Sequence, residues 1–387
     1  MRVLHVHTRA GFYGGVEQIL HDIAAGLSAR GIPQGLLHAD RAPRRDYLTA
    51  FADSGSDAAL VERFRPDVLL LHKVEDPARV ARLAAEVPTA RMVHDHELVC
   101  LRREKYFPLG NRVCDRPAGS ACYSHLCFVQ RGHGRLPIGF KGVGAVKAAI
   151  AAHAEVRRFI VGSRWMRDEL TVNGLPAARI RIVPPVPRAL GRCEQQPPSH
   201  SPEVLYVGQV IRSKGVDLLL HALAQVPGHW HATVVGTGNN LEACKALAIK
   251  LDVAHRVTFT GWVDHAALDG YYARASVTVV PSRWPEPFGM VGIEAMARGR
   301  PVVGFSVGGI PDWLEHEVTG LLAPEADTKA MAQHLSQLLA EPDLTAMLGA
   351  QAATRVRERY QPDTCLDQLT AVLHEAVDDG GELARTP

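Results

Sequence analysis

No run of about 18 consecutive apolar residues occurs in the 387-residue chain, so the sequence holds no helix suited to crossing a bilayer. Nor does an apolar leader core follow Met1-Arg2; Val3-Leu4-His5-Val6-His7 alternates as a strand does. The expectation is a cytoplasmic protein, with peripheral contact at the inner face of a membrane as the alternative. Charge of one sign is also scarce: 43 Lys and Arg against 41 Asp and Glu leave a net charge of +2. That balance argues against a dedicated nucleic-acid binder, though not against a local basic patch. Internal repeats and low-complexity tracts are missing. At 47% hydrophobic and 22% charged, the composition is ordinary for a globular chain long enough for two domains. In a cytoplasmic protein the seven cysteines favour thiols or metal ligands over disulfides.

What is present is concentrated in residues 281–314, PSRWPEPFGMVGIEAMARGRPVVGFSVGGIPDWL. The β-branched run Val277 to Val280 predicts a buried strand, stopped by Pro281 and Ser282. A helix is expected from near Phe288 to Gly299, then a strand from Pro301 to Phe305. Such a βαβ unit binds ligands at the strand's carboxyl end. The amides of Phe288, Gly289, Met290 and Val291 form an open helix N-terminus, which suits a diphosphate. Glu286 and Glu294 would repel phosphate, so they are read as serving hydroxyls. Amides for phosphates and acids for hydroxyls together suggest a sugar nucleotide.

Glu286-Pro-Phe-Gly, Glu294-Ala-Met-Ala-x-Gly, Pro301-Val-Val and Gly308-Gly309 resemble the donor-site signature of retaining GT-B glycosyltransferases of family 4, with its E-x7-E pair. The resemblance implies an α/β protein of the GT-B class, two Rossmann-like domains facing across a cleft. It implies that Glu286 holds hydroxyls of the transferred sugar and Glu294 the ribose. The structural alternative is one acid at a helix start and one satisfied acid inside it. Two isolated glutamates would favour that; the whole string at this spacing does not.

In the first half, the strand at residues 2–7 meets a glycine-containing turn, Gly11 to Gly15. A helix follows with Val16, Ile19, Leu20, Ile23 and Leu27 on one face. Glycine pairs mark many harmless turns. The resemblance implies that Gly14 and Gly15 face the donor diphosphate. Val68 to Leu71 and Ala90 to Val93 read as strands, the latter ending in His94-Asp95-His96. By resemblance His94 contacts the donor sugar near its anomeric centre; His96 is the alternative two positions on, and a histidine satisfied by a loop carbonyl is the structural one.

Cys100, Cys114, Cys122 and Cys127 fall within 28 positions of a loop without clear period. Four thiolates can close a structural zinc site. The spacings of 13, 7 and 4 residues are not those of a zinc ribbon, with His125 and His133 as substitute ligands. An iron–sulfur cluster needs the same ligand count, and a loop with buried thiols is the plain alternative. Residues 131–158 mix Arg131, Arg135, Lys141, Lys147, Arg157 and Arg158 with Val143, Val146, Ile150 and Val156. A helix packed on its own domain is favoured there over one resting on anionic lipid.

Proline-rich residues 184–202 read as a linker. The expected division is 1–185 for an acceptor-side domain, joined by 363–380 crossing back; 186–202 for the linker; and 203–362 for the nucleotide-sugar domain. After a strand at Val204 to Val207, the loop Gly208-Gln209-Val210-Ile211-Arg212-Ser213-Lys214-Gly215 resembles the family's phosphate loop. Lys214 matches its lysine. Gln209 replaces the usual arginine, with Arg212 as substitute. Gly236-Thr237-Gly238 is a lone glycine pair and weak as a dinucleotide signal. By resemblance Val263 lies near the base, and Trp262 offers a face for stacking.

The implied reaction is retaining transfer from a nucleoside diphosphate sugar, UDP-sugar by default, to a hydroxyl of a lipid-linked glycan or polysaccharide precursor. A small-molecule acceptor is the runner-up. His94, Glu286 and Lys214 are the expected catalytic group. No D-x-D string occurs; the nearest, Asp95-His96-Glu97, lies in the other half. Catalysis is therefore expected to need no cofactor or divalent metal. A sugar-nucleotide epimerase and a non-catalytic binder are the other classes.

Overall fold

Val68-Leu69-Leu70-Leu71 and Val277-Thr278-Val279-Val280 are buried along their whole length. Runs of this kind are stable only as strands covered on both faces, as in a parallel sheet under helices. The computed structural model describes residues 1–108, 112–131, 138–185, 202–264 and 267–383. They form two compact units: Met1–Arg103, Asp115–Arg188 and Pro362–Pro387 in the first, Glu104–Cys114 and Ala189–Gln361 in the second. The linker expected at 186–202 lies, but for Pro202, outside the described residues.

The first unit contains β1 (Val3–Val6), β2 (Gln34–Leu37), β3 (Asp53–Gly55), β4 (Val68–Leu71), β5 (Thr89–Met92), an antiparallel hairpin of β6 (Val129–Arg131) and β7 (Ile138–Phe140), then β8 (Arg158–Val161) and β9 (Ile180–Ile182). Seven of these make a parallel sheet in the order β3-β2-β1-β4-β5-β8-β9. Helix Pro362–Leu383 belongs to this unit; Leu366, Leu369 and Leu373 pack with Val3, Val68, Leu70 and Ile160. Helix Val143–Ala151 buries Val143 and Val146 against Leu101 and leaves Lys147 exposed.

The second unit has β10 (Glu203–Val207), β11 (His231–Val235), β12 (Val257–Gly261), β13 (Val277–Val280), β14 (Val302–Phe305) and β15 (Gly320–Ala323). Their order is β12-β11-β10-β13-β14-β15, all parallel. Both sheets reverse direction of winding beside their first strand, between β1 and β4 and between β10 and β13. Loops leaving the carboxyl ends of such strands diverge and leave a ligand crevice. Residues Glu104–Cys114, expected within the first domain, pack with the second unit. Val113 leans on its core and donates its N–H to Glu325 at 2.6 Å.

Candidate functional site

The second sheet's reversal brings together the loop after β10 and the loop after β13. Backbone bonds lock the two: Arg283 and Trp284 both donate N–H to the Ser213 carbonyl, at 2.9 and 3.1 Å. Gly215 has φ +72°, and a Cβ there would lie 1.9 Å from the Pro281 carbonyl oxygen. Only glycine allows this approach. Buried Arg283 ties the first loop down further, bonding the Arg212 carbonyl and reaching Asp217 at 2.7 Å. The Gly236-Thr237-Gly238 turn is structural too. A Cβ at Gly236 would strike the Gly208 carbonyl at 1.8 Å, and Thr237 accepts the Val210 N–H.

This docking sets Lys214 against Glu286, with Nζ donating to Oε1 at 2.7 Å. Ser282 Oγ donates to the same oxygen. Glu286 is 5% exposed, and its Oε2 takes no bond from the described residues. Lys214 is half-buried beside the Trp284 ring, 5.5 Å from its centre. The Glu286 backbone is clamped by the Gly308-Gly309 pair: Gly309 donates to the Glu286 carbonyl at 2.7 Å, and a Cβ at Gly308 would stand 2.5 Å from the Glu286 nitrogen.

Helix Met290–Ala297 starts two residues later than Phe288, where the sequence placed it, and ends before Gly299. Gly289 is its N-cap at φ +98°, a left-handed turn that halts the helix there. The Phe288 ring is buried against Tyr360, and its carbonyl accepts the Trp313 indole N–H at 2.6 Å. Phe288 thus faces the core; the helix opens through Gly289, Met290 and Val291. Buried Trp313 also explains Gly292, where a Cβ would lie 2.0 Å from its ring. Within Met290–Ala297 only Met290, Val291 and Glu294 keep partial exposure. Glu294 lies one turn beyond Met290 and Val291 on the same side of the helix, and its side chain leans back toward the open N-terminus. Gln209, Arg212 and Trp262 are exposed, Trp262 by 74%, whereas Val263 leans on the core.

In the first unit Gly14 caps helix Gly15–Ala29 in an extended conformation, and a Cβ at Gly15 would meet no protein atom within 4 Å. Neither glycine is demanded by its own backbone, so the pair keeps the helix start bare. His94 follows β5, half-buried, with Nε2 2.9 Å from His72 Nδ1. His96 is fully buried edge-on to Trp165, which leaves His94 as the accessible ring of the two. Asp95 pairs with Lys73 at 2.7 Å and Glu97 with Arg91, so both carboxylates of Asp95-His96-Glu97 are taken up by cations.

The four cysteines are not gathered. Among the described residues no three His, Cys, Asp or Glu side chains converge to hold a metal ion. Cys114 belongs to the second unit and Cys100, Cys122 and Cys127 to the first. No described cysteine is in a disulfide. His133, the other candidate ligand, lies outside the described residues. Sequence reasoning missed Ser282, Arg283, Asp217 and Trp313, which position the pair and the helix. The serine and arginine adjoin Pro281, a signal that was available.

The family model for glycosyl transferases group 1 matches residues 192–355. A GDP-mannose-dependent alpha-(1-6)-phosphatidylinositol monomannoside mannosyltransferase of Mycobacterium tuberculosis is 30% identical over 345 residues, 83% of this chain and 86% of that protein. An uncharacterized glycosyltransferase of Methanocaldococcus jannaschii is 32% identical over 177 residues, 45% of each chain, so this chain matches about half the length of that relative. Among solved structures, sucrose-phosphate synthase from Thermosynechococcus elongatus superposes with a TM-score of 0.75 at 21% identity, covering 97% of this chain and 99% of that one. Anabaena HepE in complex with UDP does so at 0.72 and 19%, covering 97% and 100%. At those identities the structures speak for fold alone. With the extended match to the mycobacterial protein, they lead to one conclusion: this chain belongs to the glycosyl transferases group 1 family and has the GT-B fold.

Proposed function

We propose that the protein transfers a sugar from a nucleoside diphosphate sugar to a hydroxyl of a lipid-linked glycan or polysaccharide precursor, with retention at the anomeric carbon. The observation that carries this reading is the Lys214–Glu286 pair held at the strand-order reversal of the second sheet. Lys214 Nζ has three donors, of which Glu286 takes one, so the ammonium can meet a diphosphate oxygen without leaving its partner. The bare helix start at Met290 adds partial positive charge to the leaving diphosphate. Glu286 Oε2 accepts a sugar hydroxyl, and Glu294, on the exposed face of the same helix, accepts from the ribose.

The acceptor oxygen attacks the anomeric carbon as the bond to the leaving phosphate oxygen breaks. The proton of the acceptor hydroxyl passes to that phosphate. No divalent metal is required in this scheme, in keeping with a sequence that lacks D-x-D. UDP is the default leaving group, supported by the HepE complex with UDP; GDP is the second reading, favoured by the name of the mycobacterial relative. The lipid-linked acceptor draws on that same name, and peripheral membrane contact through the first unit would serve it.

A screen of UDP- and GDP-sugars, reading nucleoside diphosphate release with and without glycolipid acceptors, tests the proposal. Release from one donor that rises with acceptor and survives EDTA is expected. Loss of transfer in EDTA, restored by magnesium or manganese, would defeat the metal-free scheme. Donor conversion with no acceptor would point to an epimerase.

A further inference from the structure

Across four neighbouring strands of the first sheet, from β2 through β1 and β4 to the end of β5, runs a chain of polar side chains that ends at His94 and whose other members the transfer scheme does not use. Gln34 Nε2 donates to the Ile32 carbonyl at 2.8 Å. A carbonyl only accepts, so the amide has one orientation, and its Oε1 faces His5 Nε2 at 2.8 Å. That oxygen also only accepts, so His5 carries its proton on Nε2. A neutral imidazole has a single N–H. His5 Nδ1 therefore accepts, and its partner, His72 Nε2 at 2.9 Å, donates. By the same step His72 Nδ1 accepts from His94 Nε2, also at 2.9 Å. The last lone pair in the chain falls on His94 Nδ1, which no described protein group engages.

The rings are held for this. His5 and His72 have no exposure, and the pairs His5–His72 and His72–His94 each stack at 5.2 Å with planes 19° and 17° apart. Burial lowers the His5 pKa to about 4 and that of His94 to about 3, and pushes His72 well below its usual value. Protonating His5 or His72 would set two N–H donors face to face at one link. His7 stands edge-on to His72 but lies outside the chain, its Nδ1 accepting the Lys73 N–H and its Nε2 facing Glu17 at 3.2 Å.

We propose that Gln34, His5 and His72 are positioning residues that lock His94 in the tautomer with a lone pair on Nδ1, so that its ligand is a hydroxyl or N–H donor and never a phosphate oxygen. This rests on the reading of His94 as a substrate contact. An oxyanion offers only lone pairs, which such a nitrogen repels; a sugar hydroxyl offers a hydrogen.

Long-range proton–nitrogen NMR correlations on isotope-labelled full-length protein read the tautomer directly. A pyrrole-type Nε2 and a pyridine-type Nδ1 are expected for His94. His72→Gln should preserve that signature, because an amide presents an acceptor and a donor in place of the two ring nitrogens; His72→Leu should lose it. In turnover, His72→Leu should lower kcat about tenfold, the worth of one hydrogen bond at the upper end of its usual range. The donor KM should move less, and His72→Gln should recover most of the loss. A proton on Nδ1 of His94 in the parent overturns the proposal, and that spectrum decides even if His72→Leu fails to fold. Equal kcat losses in the Leu and Gln variants at unchanged melting temperature overturn it as well. His94→Ala separates the two readings. If that variant is fully active, His94 contacts no substrate and the positioning role falls with it. If it is inactive while the parent shows the wrong tautomer, the contact stands and the chain does not.

Discussion

Between β10 and β13 the strand-order reversal of the second unit is met by opposite charges, Lys214 and Glu286. Between β1 and β4 the same reversal in the first unit is met by neutral imidazoles, His5 and His72, bonded in series. One topology thus presents two kinds of chemistry. A charged pair with an accessible ammonium can share its cation with an incoming anion, and its strength depends on charge rather than on proton placement. A neutral chain has no charge to share, but it has a direction, because each ring fixes where the next one keeps its proton. The first suits a leaving diphosphate and the second suits hydroxyl recognition.

The sharpest way to break this contrast is to remove the cation. Lys214→Ala is expected to lower kcat by about 10²–10³, the usual cost of deleting a group that stabilises developing charge. It should also destabilise the fold, since Glu286 is left buried with Ser282 as its remaining donor. Arg212→Ala, exposed in the same loop, should cost far less. A reversed order in steady-state kinetics would make Arg212 the principal phosphate ligand.

Glycines sharpen the comparison in stability. Gly215→Ala forces a Cβ into the Pro281 carbonyl at a left-handed backbone, so a loss of about 3 kcal/mol or more is expected, summing strain and clash. Gly15→Ala meets open space and should hold or slightly raise the melting temperature. Its effect should appear in substrate affinity instead, if the bare helix start in the first unit meets a ligand. Thermal melts and donor titrations on the two variants check both halves of the claim.

Acid should weaken the first unit through its buried histidines. His5 and His153 are both lowered by burial to about 4, so between pH 6.5 and 4 the unfolded chain takes up protons that the folded chain refuses. Their contribution is complete above about pH 6.5, the unfolded value, and is lost as pH falls toward the folded one. At pH 5 each should have cost about 2 kcal/mol relative to pH 7. Urea midpoints at pH 7, 6 and 5 measure this; a flat profile would mean the rings are hydrated. The smallest effect is expected at the cysteines. Cys122→Ser should change stability by no more than about 0.5 kcal/mol. Finding about one zinc per chain by elemental analysis would restore the four-cysteine set as a metal site.

Continuous apolar runs were legible strand by strand: Val68–Leu71 and Val277–Val280 have the bounds the sequence predicts. Gln34–Leu37 and Asp53–Gly55 were not, because QGLL opens on a polar residue and a glycine, and DSG has no apolar residue at all. Those strands exist because β1 offers β2 an edge and β2 offers one to β3. The late start of the helix at Met290 has a similar cause: Trp313 and the left-handed Gly289 set it, and neither is visible in helical periodicity.

What the sequence determined by itself is the family and the spacing of its charged motif residues, because a motif keeps its spacing along one loop and one helix. Glu286 and Glu294 belong together within eight positions of chain whatever the rest does. Tertiary structure alone decided which of those groups meet. Lys214 and Glu286 are 72 residues apart and His5 and His72 are 67 apart. No local rule pairs residues at such distances; parallel strand order does, by carrying distant loops to one end of a sheet. It also decided the direction of the histidine chain, which follows from a single carbonyl, that of Ile32, able only to accept.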